Sequence, residues 1–337
     1  MPKPLTVALV AGAALLTRRA MRRRIQASPL WPMPALDEPV SGRPRSRALR
    51  LLVASREEVA DGVVQLRLEG RDLPRWEPGA HLDLVLPSGL VRQYSLCGDP
   101  ADTSSYTVAT RLVADGRGGS REVHEQVAEG MELEVRGPRN RFPLVEAPAY
   151  VFVAGGIGIT PILPMLRALP DGAEWRLLYC GRSRESMPFV AELEELDQVT
   201  VVAGVPELGA LDVPEGAALY CCGPEGLMAA VEERFPQVRL ERFTPRAIAP
   251  GSAFEVELRR SGRTLAVPAD SSVLAAVRRE LPDTLYSCEQ GFCGTCQQRV
   301  LEGEVDHRDE LLTDAERGDS MLICVSRARS ERLVLDM

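Results

Sequence analysis

Cys288, Cys293 and Cys296 stand in the order C-x4-C-x2-C, and 27 residues separate Cys296 from Cys324. No other feature constrains the fold as strongly, because this is the plant-type spacing for a 2Fe-2S cluster. Each iron of such a cluster is tetrahedral and holds two bridging sulfides and two protein sulfurs, so four thiolates must meet. Three come from one loop, SCEQGFCGTC, where Gly291 and Gly294 let the chain curl and aim amides at the sulfides. The fourth, Cys324 in MLICVS, reads as a strand-end residue that closes the cage. A structural zinc site is the competing reading, but zinc prefers a C-x2-C pair at each end of its motif, and only one such pair exists. The motif makes the chain an electron carrier.

Cys97, Cys180 and Cys221 lie in apolar or strand-like runs and read as small buried thiols. Eight cysteines with no cleavable secretion signal argue for a reducing compartment, the cytoplasm, rather than a disulfide scaffold. A length of 337 residues allows two or three cores. The net charge of −8 is unevenly spread: residues 1–50 carry Lys3 and nine arginines against Asp37 and Glu38, so the body is strongly acidic. An acidic body disfavours nucleic acid and suits a basic protein partner.

The basic tail, residues 1–46, contains the apolar run Leu5 to Leu16 followed at once by TRRAMRRR. That run is too short to span a bilayer. A secretion signal places its charge before the apolar run, and here the order is reversed. Two readings stand: a weak peripheral membrane contact, with arginines on anionic headgroups, or a frayed extension leading into the Pro-rich SPLWPMPALDEPVSGRPRS.

Regular structure is expected from Leu49. Short alternating runs such as LRLLVAS, GVVQLRLEG, HLDLVLP, SYTVAT and MELEVRG, divided by Pro, Gly and Asp turns, predict an antiparallel barrel over 47–145. It contains Arg92-Gln93-Tyr94-Ser95-Leu96 and the turn Gly118-Gly119-Ser120. Arg92 and Tyr94 fall on one strand face, where a guanidinium can hold a phosphate and a phenol can lie near a ring system. A Gly-Gly-Ser turn offers backbone amides to a second side of the phosphate. Each signal alone also fits surface or packing roles. Together, upstream of a redox cluster, they favour a flavin.

From Tyr150, the strand YVFVA enters Gly155-Gly156-Ile157-Gly158-Ile159-Thr160-Pro161 and then the periodic ILPMLRAL. Strand, glycine turn and helix start form a phosphate cradle, although the run is not the G-x-G-x-x-G fingerprint. Strands at WRLLYCG, QVTVVAG and ALYCCG, alternating with helical MPFVAELEEL and PEGLMAAVEERF, predict a doubly wound parallel sheet over 146–245. A linker at 246–253 then leads to a β-grasp-like ferredoxin domain at 254–337, with AFEVELRR and RTLAVPA as a hairpin and Ser271 to Glu280 as a helix. Glu289, Glu302, Glu304, Asp306, Asp309 and Glu310 read either as a docking face for a basic acceptor or as a solvated acidic surface.

With the cluster motif, the glycine loop and Arg-x-Tyr-Ser in one chain, residues 47–337 resemble the phthalate dioxygenase reductase and vanillate demethylase reductase family. That resemblance implies the same three-part order: FMN barrel, nicotinamide-nucleotide domain, plant-type ferredoxin domain. It implies that Arg92 binds the FMN phosphate, that Gln93, Tyr94, Ser95 and Leu96 belong to the flavin-binding strand, with Tyr94 and Ser95 at the isoalloxazine, and that Gly118, Gly119 and Ser120 complete the phosphate site. It further implies that Gly155, Gly156 and Thr160 hold the nucleotide, that Cys222, Gly223 and Pro224 lie beside the nicotinamide, and that Phe243 packs on the flavin. No adenine-side loop is evident after Ser120, so FMN is expected rather than FAD.

A nicotinamide gives up two electrons at once and a 2Fe-2S cluster accepts one, and a flavin can serve both. No protein acid or base is needed for the hydride step. Cys222 then reads as a packing thiol rather than a nucleophile, since no motif places a histidine near it. His124 reads either as an orienting group at the flavin or as a structural imidazole. Arg182 and Ser183, with Arg184, fall where the adenosine ribose belongs; the charges favour NADPH and the resemblance NADH, so either nucleotide remains open. The expected role is a reductase feeding a terminal oxygenase, of Rieske or haem-thiolate type, or another one-electron acceptor protein. A freestanding NAD(P)H oxidase or flavin/ferric reductase, and a cluster-based redox sensor, are the alternatives.

Overall fold

The computed structural model describes residues 48–114, 116–244 and 251–337. The tail reading for 1–46 and most of the linker reading for 246–253 fall outside the described residues. The described residues form one compact unit.

Six antiparallel strands come first: β1 (Leu49–Ala60), β2 (Val63–Glu69), β3 (Ala80–Val85), β4 (Val91–Ser95), β5 (Ser105–Arg111) and β6 (Glu132–Asn140), in the order β4-β3-β6-β1-β2-β5. The edge strands β4 and β5 approach each other, and a bridge between Leu96 and Val108 helps close the sheet into a barrel. Alternation drives closure: Val53, Leu66, Leu68, Leu82, Leu84 and Val108 turn inward to one fully buried core. Helix α1 (Gly119–Gln126) covers the barrel between β5 and β6.

A parallel sheet follows: β7 (Ala149–Gly155), β8 (Glu174–Gly181), β9 (Val199–Ala203), β10 (Ala218–Cys222) and β11 (Arg239–Glu241), ordered β11-β10-β7-β8-β9. Every residue of β7 is buried, as a strand covered on both faces requires, and separate apolar cores line the two faces. Its helices are α2 (Ile159–Arg167), α3 (Val190–Leu193) and α4 (Glu225–Arg234). The helix expected over MPFVAELEEL shrinks to the single turn α3, because Phe189 takes a left-handed backbone (φ 61°) that delays its start. Strand order reverses between β7 and β10, so the carboxyl ends of these strands form the crevice where doubly wound sheets take ligands.

The third sheet is mixed: β12 (Phe254–Leu258), β13 (Arg263–Val267), β14 (Gln297–Glu302), β16 (Ser320–Leu322) and β18 (Arg332–Leu335), ordered β13-β12-β18-β14-β16, with β12 and β18 parallel. A ribbon of β15 (Val305–Asp306) and β17 (Arg327–Ala328) lies beside it. Helix α5 (Val273–Glu280) is capped by Ser272, whose hydroxyl accepts from the Ala275 amide at 3.0 Å, and packs its apolar face on the core beneath the cysteine loop. The expected hairpin and helix are both present.

Arg327, 1% exposed, holds the start of this module by donating to the carbonyls of Ser252, Pro268 and Ser271, with its guanidinium 5.1 Å from the Phe254 ring centroid. Removing it leaves three part-buried carbonyls without their donor. Arg327→Ala is expected to destabilise the module by roughly 2–4 kcal/mol, read as a lower midpoint in a denaturant titration against the parent chain.

Candidate functional site: a cavity where three sheets meet

The cysteine loop runs from Tyr286 to Cys296. Glu289, Gly291 and Gly294 all take positive φ (55°, 81° and 78°), which coils the backbone so that successive amides turn to one side. At Gly291 a Cβ would meet Val325 at 2.7 Å, and at Gly294 it would meet Leu311 at 2.8 Å, so only glycine meets both demands. Asp309, buried beside Gly291, accepts from the Leu311 and Leu312 amides and braces the loop from below. Cys288, Cys296 and Cys324 are buried and Cys293 is half-buried. The four thiols lie together, near enough to shift one another's ionisation. Among the described residues no three metal-binding side chains converge on a single ion. Four cysteine sulfurs supply the two protein ligands that each iron of a 2Fe-2S cluster needs. The Gln290 amide already points at the Cys288 sulfur, 3.3 Å away.

Cys288 also lines a cavity of about 400 Å³ that all three sheets share. The barrel contributes Arg92, Gln93 and Ser95, the end of the parallel sheet Glu241 and Phe243, and the cysteine module Ser287, Cys288 and Phe292. Arg92 on β4 is buried and donates to the carbonyls of Val91 (2.9 Å) and Arg117 (2.7 Å) and to the Tyr286 hydroxyl (3.2 Å). Gly119 stands where it does because a Cβ would lie 2.5 Å from Arg92 Cγ. The structure therefore brings RQYS and GGS together, with Gly118 as the left-handed N-cap of α1. Ser120 Oγ accepts from the Val113 amide.

Other residues singled out in the sequence lie elsewhere. Tyr94 packs on the barrel core, where burial pushes its phenol up to about 12, and is absent from the cavity lining. Leu96 is wholly buried in the barrel. His124 sits 2.9 Å from the Thr110 carbonyl, the structural of its two readings. At the crevice of the parallel sheet, a Cβ on Gly155 would strike Pro224 at 2.5 Å and one on Gly158 the Cys222 carbonyl at 2.2 Å. The two loops are thus in backbone contact, with Gly223 between them. Gly156 faces open space, and Thr160 donates to the Ile157 carbonyl. Cys222 is fully buried and its thiol is pushed well up, chiefly by burial, which suits packing rather than nucleophilic attack. Beyond β8, Arg182 is exposed, Ser183 closes a capping box with Ser186, and Arg184 pairs with Glu194.

Sequence reasoning passed over Glu241, Arg117, Tyr286, Ser287 and Phe292. Ser287 and Phe292 stood within the SCEQGFCGTC run without a role of their own, and Glu241, Arg117 and Tyr286 lay outside the residues given one. Half-buried Glu241 accepts from Ser95 Oγ at 3.4 Å, and burial raises its carboxyl to about 8 despite that bond. Arg117 pairs with Glu289, and Phe292 lies edge-on to His81 with its centroid 6.0 Å away.

A model of the 2Fe-2S iron-sulfur cluster binding domain matches residues 256–329. Over 311 residues the chain is 38% identical to the phthalate 4,5-dioxygenase oxygenase reductase subunit of Pseudomonas putida, covering 85% of this chain and 96% of that one. It is 40% identical over 319 residues to a vanillate O-demethylase oxidoreductase from a Pseudomonas species, covering 86% and 100%. Among solved structures, phthalate dioxygenase reductase, described as modular for electron transfer from pyridine nucleotides to [2Fe-2S], superposes with a TM-score of 0.61 at 38% identity over 86% of this chain and 98% of that one. An intact type IV self-sufficient cytochrome P450 monooxygenase matches with a TM-score of 0.67 at 37% identity over 93% of this chain, which spans only 45% of that longer protein. Among the described residues no helix is long and apolar enough to cross a membrane.

Glu241 sets a pH dependence. Folded, it keeps its proton to about pH 8; unfolded, it loses it near 4.5, so between these values the folded state binds more protons. Its contribution to stability is complete at low pH, shrinks as pH rises through that window and levels off above it. The melting temperature should therefore fall from pH 5 to pH 8, and fall less in Glu241→Gln.

Proposed function

This chain belongs to the family of phthalate dioxygenase reductase and vanillate O-demethylase oxidoreductase, and from that premise we propose that it takes electrons in pairs from NADH or NADPH and passes them singly to a terminal oxygenase. The observation that carries this reading is the shared cavity: Arg92 and Ser95, then Glu241 and Phe243, then Cys288 all line one space. A flavin held there and a 2Fe-2S cluster on the four cysteines would supply the step from two-electron to one-electron chemistry.

The chain's own groups bind and orient. Arg92, with Gly118 and Gly119 at the start of α1, offers a guanidinium and free helix amides to a phosphate, which supports FMN. Ser95 and Glu241 set hydrogen bonds on one side of the space, and Phe243, partly exposed, gives it an apolar wall. The crevice formed by Gly155, Gly156, Thr160, Cys222, Gly223 and Pro224 receives the nicotinamide end of the nucleotide, its close backbone packing supporting a flat ring. Arg182 and Ser183 lie toward the adenosine end; with Arg184 engaged by Glu194, Arg182 is the cation left for a 2′-phosphate. Cys288, Cys293, Cys296 and Cys324 would together hold the two irons.

The acceptor is a Rieske-type or haem-thiolate oxygenase, a reading supported by the oxygenase reductase and P450 monooxygenase relatives. Unpaired thiols throughout support a cytoplasmic location. Weak membrane contact through the arginines of residues 18–24 rests on the sequence alone; binding to anionic but not neutral vesicles is expected, and equal failure with both removes it.

Cys293→Ser tests the electron path. Reduction of bound flavin by NADH should persist, while reduction of cytochrome c, a one-electron acceptor, should drop at least about tenfold. An undiminished rate would take the cluster off the path and favour a freestanding flavin reductase.

A further inference from the structure

Arg92 is a buried cation whose three partners are all neutral: two carbonyls and the Tyr286 hydroxyl. A buried guanidinium with only neutral acceptors is poorly compensated, and an anion beside it would correct this. The next residue along from Tyr286 is Ser287, 3% exposed, which lines the same cavity and whose buried Oγ has no hydrogen-bond partner. Buried hydroxyls are nearly always paired, so this one marks a place for a missing acceptor. Arg117, tied to Glu289 in the cysteine loop, also lines the cavity. Two barrel arginines, Arg92 and Arg117, and an idle donor of the cysteine module therefore line one space.

We propose that Ser287, a residue of the cysteine module, donates its hydroxyl to the phosphate of the flavin nucleotide held by Arg92, so that the flavin site is completed only when that module is seated on the barrel. This rests on the flavin reading above and extends it. Because the phosphate touches both modules, flavin affinity and seating of the cysteine loop become linked, each favouring the other to the same extent. The side chain serves as a positioning and binding group and takes no part in the redox chemistry.

The test is a fluorescence titration of flavin-free protein with FMN and with riboflavin, which lacks the phosphate, for the parent chain, Ser287→Ala and Ser287→Thr. In Ser287→Ala the FMN Kd should rise about tenfold, as for loss of a hydrogen bond to a charged acceptor, while the riboflavin Kd stays put. Ser287→Thr should retain FMN affinity. Inorganic phosphate should compete with FMN in the parent and less well in Ser287→Ala. Unchanged FMN affinity in Ser287→Ala overturns the inference, and so does an equal loss for both flavins, which would mean a packing role. Failure of the parent chain to bind either flavin would instead overturn the flavin reading itself.

Discussion

Arg92 of the barrel and Tyr286 of the cysteine module lie 194 positions apart in sequence, yet Nη2 and Oη are 3.2 Å apart. The rest of the site depends on this approach. It sets the cysteine loop over the barrel mouth, where Arg117 reaches Glu289, Phe292 meets His81 and Arg141, and the Gln290 side chain donates to the Arg242 carbonyl. Each contact is modest, and an exposed ion pair such as Arg117–Glu289 contributes about 0–1 kcal/mol. Their joint effect is geometric. They place Cys288 on the wall of the cavity that Arg92 and Ser95 also line.

Local sequence patterns carried the fold well because each module is built from local rules. Alternation made the barrel strands, a continuous apolar run made β7, and the helix expected over Ser271 to Glu280 is α5. The four cysteines were legible for the same reason: three sit within nine residues, and two glycines between them record the backbone they need. The exception, α3, turned on one left-handed residue that periodicity does not register.

What stayed hidden was made by long-range contact. The carboxylates after the cluster motif were expected either to face a basic partner or to be solvated, but Glu289, Glu302 and Asp306 are matched by Arg117, Arg259 and Arg308, and Asp309 is buried in loop hydrogen bonds. Glu289 and Arg117 are 172 positions apart, so no window of sequence could show the pairing. A uniformly acidic docking face is thereby reduced. Tyr94 is a related case: it does share a strand face with Arg92, the two standing opposite Leu82 and Leu84, yet its ring joins the barrel core while the Arg92 guanidinium reaches Tyr286. Ser287 carried no motif of its own beyond preceding Cys288, and only its burial without a partner draws attention to it.

Reducing power that enters at the nucleotide crevice must reach the four cysteines through the shared cavity. Anaerobic titration of the intact protein with NADH, followed by visible absorbance, tests this most directly. Bleaching of both flavin and iron–sulfur bands within one titration is the expected result. Flavin bands that bleach while the iron–sulfur bands remain at excess NADH, or a protein with neither chromophore after reconstitution, would contradict it.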